Sequence, residues 1–320
     1  MNKSECIRIG MPVFNGEDHL AEALESLLNQ TYENVAIFVV DNASTDRTPD
    51  IAQMYSKKDS RIKYIRQAKW VNATTNWNRT YELSAHGGKF FMWASDDDLW
   101  AKDYIDSLLA PLIENPNIVL SFSQADVIDM EGKTIGELYR KSFPGGNTAF
   151  NRIRSIIRVG KFSAIYGLIR KDAICWNPFL CDTSFGADLW FLIRLATVGD
   201  FHMVKQPLFF KRTGGICETG EDPSASRDPL RIWNIGHEEW NLISELHLGI
   251  LAKLYIFYRL RFLAKTLYPE QKRLDWVLLP IFWCYRVWKN PRSFGFRSKI
   301  GRYLSIYRKK ISLNLHSRPN

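Results

Sequence analysis

Val35-Ala36-Ile37-Phe38-Val39-Val40-Asp41-Asn42-Ala43-Ser44-Thr45-Asp46 runs six apolar residues without a break, then six small or polar ones. A run that is apolar on both faces suits a strand covered on both sides, as in a parallel sheet. The polar half marks where such a strand leaves the sheet. The same grammar recurs on either side. Ile7 to Met11 is a short apolar run that Pro12-Val13-Phe14-Asn15-Gly16 closes, Pro and Gly ending the strand and opening a loop. Between His19 and Leu28 the apolar residues Leu20, Ala23, Leu24, Leu27 and Leu28 fall at helical spacing. A second helix is expected from Pro49 to Tyr55, with Pro in the first turn where its missing N–H costs nothing. Ile62 to Ile65 reads as a third strand, Asn76 to Ser84 as a helix, and Lys89 to Ser95 as a fourth strand.

This alternation predicts an α/β fold with a central, mostly parallel sheet flanked by helices. In such sheets ligands bind outside the carboxyl ends of the strands. Three polar clusters fall there: Pro12–Gly16, Asp41–Asp46 and the triplet Asp96-Asp97-Asp98. Three adjacent carboxylates repel one another and cannot all enter a core. At a strand end they suit a hard divalent cation, which takes oxygen ligands and is often completed by substrate phosphates. Alone, such a triplet reads as a solvated turn; the convergence of three clusters favours the site. No GxxxxGK[ST] or GxGxxG run occurs in this half, so a glycine-rich phosphate cradle is not expected.

Composition bounds the alternatives. The five cysteines, Cys6, Cys175, Cys181, Cys217 and Cys284, form no CxxC pair and are odd in number. Neither a zinc site nor a disulfide framework is indicated, and a reducing, cytoplasmic setting is the expectation. The first ten residues carry no apolar core of a secretory signal. The net charge of +9 is uneven: residues 231–320 hold 17 Lys and Arg against 5 Asp and Glu, a balance of about +12. One part of the chain therefore needs its own account of charge.

Ile9-Gly10-Met11-Pro12-Val13-Phe14-Asn15-Gly16, Val39-Val40-Asp41-Asn42-Ala43-Ser44-Thr45-Asp46 and Ser95-Asp96-Asp97-Asp98 resemble, in order and spacing, the family 2 glycosyltransferases of GT-A fold. The resemblance covers about residues 7–215. It implies inverting transfer of a sugar from a nucleotide-sugar donor to an acceptor hydroxyl, helped by Mg²⁺ or Mn²⁺. It implies that Pro12, Val13 and Phe14 shape the base pocket, that Asn15 falls at a donor-binding position, and that Asp41 accepts a hydrogen bond from the base edge. Ser44, Asp46 and Asn78 fall among the donor-binding positions. Asp97 would bind the metal, with Asp96 against the ribose and Asp98 beside the metal. The chain departs from the family in three places. Asp41-Asn42-Ala43-Ser44 stands for the usual Asp-Asp-Gly-Ser. Ser95 stands where an Asp is usual. Asn76-Trp77-Asn78-Arg79 displaces the Arg of an Arg-Asn pair.

Inverting transfer needs a carboxylate to take the acceptor's proton. The family carries it at the start of a helix about ninety residues past the metal motif. Here Gly186-Ala187-Asp188-Leu189 stands at that distance, Asp188 lying 91 residues after Asp97. Asp188 is thus the expected general base, with Asp182 as the alternative; Ala187 replaces the usual preceding Glu. Taken alone, Asp188 reads as a helix N-terminal residue favoured by the dipole. Phe162 to Lys171 reads as a core strand or as a lining of the acceptor side. Pro207 to Arg212 resembles the closing strand, and Thr213 through Asp222-Pro223 a mobile loop over the donor.

The chain is expected to divide at 1–110 (nucleotide-sugar half), 111–215 (acceptor half) and 216–320 (a basic, aromatic helical extension). Within the last part, Glu245–Leu267 and Leu274–Trp288 carry apolar and aromatic residues among Lys and Arg. The second stretch is shorter than a spanning helix needs, and Pro280 interrupts it. Two readings stand: peripheral contact with a membrane surface, or a cover packed on the catalytic part. Nucleic-acid binding has no motif to support it. The acceptor class is a glycan or lipid-linked hydroxyl. The rival functions are a nucleotidyltransferase, against which Asn15-Gly16-Glu17 lacks basic residues, and a non-catalytic nucleotide-binding protein.

Overall fold

The computed structural model describes residues 5–138, 148–159, 163–176 and 187–213, and seven residues within 246–256. Expectations that fall on Asp182, on 214–223 and on Leu274–Trp288 lie outside these residues. All the described residues belong to one compact unit, Met1–Leu263.

The strands are β1 (Ile7–Val13), β2 (Val35–Asp41), β3 (Ile62–Arg66), β4 (Phe90–Trp93), β5 (Leu99–Trp100), β6 (Ile118–Ile128), β7 (Thr134–Leu138), β8 (Leu168–Arg170) and β9 (Asp200–Arg212). The helices are α1 (Leu20–Leu28), α2 (Thr48–Lys58), α3 (Ala73–Ser84), α4 (Tyr104–Glu114), α5 (Ala149–Val159) and α6 (Ala187–Val198). One sheet holds all nine strands, in the order β3-β2-β1-β4-β8-β6-β9-β5, with β7 on β6. It runs across residue 110 without a break, so the two expected halves share it.

The parallel block is β3-β2-β1-β4, the four strands expected from the sequence. Beyond it the sheet is mixed: β8 is antiparallel to both β4 and β6, and β5 to β9, while β6 and β9 are parallel. The described part of Phe162–Lys171, from Ser163 on, is less strand than expected. A 3-10 turn, Ser163–Tyr166, precedes the three-residue β8.

Ile7, Ile9, Met11, Ile37, Val39 and Val40 have no exposed surface, as continuous apolar strands between two helix layers require. Each such side chain contributes roughly 1.5–3 kcal/mol by leaving water. Pro12 does not end β1, contrary to expectation. The Gly10 carbonyl accepts from Ala94 (2.9 Å) and the Val13 carbonyl from Asn42 (2.8 Å). Alternation then turns the Pro12 nitrogen to the side where β4 has already stopped, opposite Gly10. A missing donor there breaks no ladder bond. The helix expected from Asn76 starts earlier, because the Asn72 side chain caps it by accepting from the Thr75 amide at 2.8 Å.

α3 lies on β1 through a stripe of small polar residues, Asn76, Thr80 and Ser84, all buried. Gly10 faces the stripe. A Cβ there would stand 2.8 Å from Ser84 Oγ and from Thr80 Cγ2. We expect Gly10→Ala to push α3 off the sheet and cost about 1–3 kcal/mol. Chemical denaturation checks this; an unchanged midpoint would show that the contact is slack.

Candidate active site

The carboxyl ends of β1, β2, β3 and β4 leave the same edge of the sheet, and the polar clusters meet there. The loops after β1 and β2 are cross-bonded. The Asn15 amide donates to Ser44 Oγ (3.0 Å), the Gly16 amide to Thr48 Oγ1 (2.8 Å) and the Glu17 amide to Asp46 Oδ2 (3.0 Å). In return, the Thr45 amide donates to Asn15 Oδ1 (2.9 Å) and the Arg47 amide to Glu17 Oε2 (2.9 Å). Two non-glycine residues sit in the left-handed region, Asn15 (φ 52°) and Ala43 (φ 59°). Ala43 stands where the family carries Gly, and its φ shows why glycine suits that place.

Asp41 is fully buried, and both of its oxygens are engaged. Oδ1 accepts from the Ser44 amide (2.8 Å), and Oδ2 from Tyr64 Oη and Arg66 Nη1 (2.7 Å each). Arg66 also donates to the Ser44 carbonyl at 2.8 Å. Asp41 thus holds the second loop against β3; the expected bond to a base edge would need a lone pair beyond these three. Asp46 feels a burial that raises its carboxyl, but bonds from the Thr48 hydroxyl and amide and from the Glu17 amide outweigh it. The net shift is downward.

The third cluster lies between β4 and β5. Gly16 packs directly on it: a Cβ at Gly16 would stand 2.3 Å from Asp96 Oδ2. Burial and the neighbouring Asp97 charge, with Asp46 adding to them, push the Asp96 carboxyl up to about 8. Ser95 Oγ donates to Asp97 Oδ1, so the residue that departs from the family pattern supports its neighbour. Asp98 is 2% exposed and raised by burial and by Asp97. Its Oδ1 accepts from the Arg212 amide at 2.8 Å. The triplet is therefore divided: Asp98 ties the strand turn to β9, while Asp96 and Asp97 stay half-exposed beside the first loop. Among the described residues no three Asp, Glu, His or Cys side chains converge into a metal-holding group.

Arg212 is the residue that sequence reasoning passed over. Its side chain is 1% exposed. Nε donates to the Asp97 carbonyl (2.8 Å), Nη1 to the carbonyls of Asp129 (3.0 Å) and Met130 (2.7 Å), and Nη2 to Glu22 Oε2 (2.7 Å). The only hint was two cations, Lys211 and Arg212, ending an apolar strand.

Asp188 occupies the first turn of α6, as expected, and its Oδ1 accepts from the Leu189 amide at 2.8 Å. Burial pushes its carboxyl up to about 6, against the pull of that amide and of Lys211. The Lys211 ammonium also pulls down on Asp98. One cation on β9 is thus within electrostatic reach of both Asp98 and Asp188.

Pro12 and Val13 are buried at the end of β1. Phe14 is half-buried and meets Trp70 edge-on, with ring centroids 6.5 Å apart. Asn78 lies half-buried on α3. Its neighbour Asn76 accepts from Gln67, and Arg79 Nη1 donates to Gln67 Oε1 at 3.1 Å. The displaced Arg therefore reaches the loop after β3. In the C-terminal third Leu246 and Ile256 are buried, and Tyr255 packs edge-on against Phe150 at 5.4 Å. Tyr255 thus touches α5. No helix among the described residues is long and apolar enough to cross a membrane.

The chain is 28% identical over 255 residues to glycosyltransferase GlyG of Streptococcus pneumoniae, covering 72% of this chain and 79% of that one. It spans only 15%, 38% and 35% of the length of other glycosyltransferases it matches, from Streptococcus, Bacillus and Rickettsia. Among solved structures it is similar to residues 1–349 of Staphylococcus aureus TarS in complex with UDP-GlcNAc. That match has a TM-score of 0.68 at 16% identity, over 87% of this chain and 78% of that one. A mannosyltransferase of Pyrobaculum calidifontis, in complex with GDP-Man and Mn²⁺, matches with a TM-score of 0.51 at 13% identity, over 89% and 83%. These likenesses give the GT-A fold. The model of glycosyl transferase family 2 matches residues 8–172, just over half of the chain, and with the three strand-end motifs in place the chain belongs to that family.

Proposed function

We propose that the protein is an inverting glycosyltransferase that moves a sugar from a nucleotide-sugar donor to a hydroxyl of a glycan or lipid-linked acceptor. The observation that carries this is the meeting of the first loop, the second loop and the aspartate triplet at Gly16 and Asp96. The nucleotide-sugar complexes of TarS and of the Pyrobaculum enzyme support the donor class.

The first loop, Pro12–Asn15, and the second, with Ser44 and Asp46, form the donor's nucleotide side. Asp41 holds that side in shape from beneath, and Asn78 stands behind it on α3. The residues fit a hard divalent cation, Mg²⁺ or Mn²⁺. The donors are all oxygen, and burial together with the Asp97 charge raises Asp96, an environment in which a nearby cation would favour the carboxylate. Asp97 and Asp96 would hold it. Asp98, whose Oδ1 is engaged by the Arg212 amide, stands beside it. When bound, the cation neutralises charge on the departing diphosphate.

Asp188 takes the acceptor hydroxyl's proton while that oxygen bonds to the sugar's anomeric carbon. The bond from that carbon to the diphosphate oxygen breaks on the opposite face, which inverts the centre. A base near 6 is ionised at neutral pH yet basic enough to share a proton in the transition state. The reading places the enzyme in the cytoplasm, with peripheral membrane contact of the C-terminal extension as a further part of it.

Incubation with UDP-, GDP- and dTDP-sugars plus Mn²⁺ should reveal slow hydrolysis of one donor. Asp97→Ala should lower that hydrolysis by about a hundredfold or more, in line with loss of a charge-stabilising group. Tight nucleotide binding without turnover of any donor would sink the proposal. Asp188→Asn should keep donor affinity and lower transfer by at least about a hundredfold. Since the base works only when ionised, transfer by the wild type should fall tenfold per pH unit below about 6 and level off above it. A rate that rises as the pH drops through 6 would remove Asp188 from the role.

A further inference from the structure

Trp70 is 39% exposed on the loop between β3 and α3. Isolated exposed aromatics are common, but this one is held. Asn42 grips the backbone of the next residue at two points: Nδ2 donates to the Val71 carbonyl (2.7 Å), and Oδ1 accepts from the Val71 amide (3.0 Å). On the other side of Trp70, the Gln67 amide donates to the Asp41 carbonyl at 2.8 Å, and Gln67 Nε2 reaches Asn42 Oδ1 at 3.5 Å. The loop is thereby anchored at both Gln67 and Val71, and Trp70 projects between the anchors. Its ring faces Phe14 at 6.5 Å with an interplanar angle of 63°.

We propose that Trp70 is a second aromatic wall of the pocket for the donor's nucleobase, adjoining Phe14 at an angle, and that Asn42 is the positioning residue that sets it there. This rests on the nucleotide-sugar reading above. Two rings at such an angle leave an open corner in which a flat heteroaromatic ring stacks on one and meets the edge of the other. Every base has a π-face, so the wall adds affinity whichever base the donor carries. It also accounts for Asn42 where the family has Asp. A carboxylate accepts but cannot donate to the Val71 carbonyl, whereas an amide does both.

The test is calorimetric titration of the full chain, in Mn²⁺, with UDP, GDP, dTDP and base-free inorganic diphosphate. Trp70→Ala should weaken the tightest-binding nucleoside diphosphate by about tenfold or more and leave inorganic diphosphate unchanged. Trp70→Phe should recover most of the loss. Asn42→Asp should weaken the same nucleotide in the same selective way, to a smaller extent. Wild-type affinity in Trp70→Ala, or equal losses for nucleotide and inorganic diphosphate, would overturn the wall while leaving the donor reading standing. A wild-type protein that binds none of the nucleotides would overturn the donor reading and the wall together.

Discussion

A single buried guanidinium holds the site edge together. Arg212 reaches the Asp97 carbonyl, the turn at Asp129 and Met130, and Glu22 on α1, while its own amide holds Asp98. These partners lie up to 190 residues from it in the chain. Removing a buried charge from water is costly unless each donor finds an acceptor, and here each nitrogen of the fork has one. Lysine could not serve, because a compact ammonium does not span three directions at once. The last residue of β9 therefore sets where the aspartate triplet stands relative to α1 and the β6–β7 turn.

Around that anchor the charges are arranged in tension. Asp96, Asp97 and Asp98 follow one another, and burial raises the first and the third. Lys211 sits one residue from Arg212, and the period-two alternation of a strand sends it to the opposite face. The two adjacent cations thus have different tasks: one is locked into structure, while the other acts on the Asp98 and Asp188 carboxyls.

The parallel block was legible because it obeys local rules. Val35–Val40 is apolar on both faces and becomes β2, extended by one residue to Asp41. The strand ends were legible for the same reason, and with them the meeting of the polar clusters at one sheet edge. What escaped depended on partners remote in sequence. Pro12 stays within β1 because β4 stops short beside it. Asp41 looks like a surface carboxylate until Tyr64 and Arg66 close over it. Arg212 looks like a solvated end of a strand until three separate segments deliver its acceptors. The antiparallel β8 and the short β5 carry too few residues for any periodicity to declare them.

The reciprocal bonds between the loops after β1 and β2 have a thermodynamic corollary. Five backbone amides from Asn15 to Arg47 are satisfied by side chains of the opposite loop, and two residues are fixed in the left-handed region. The conformational entropy of these loops is therefore surrendered when the protein folds. A ligand arriving at this edge meets a preorganised surface, so its affinity is not taxed by ordering the backbone it touches.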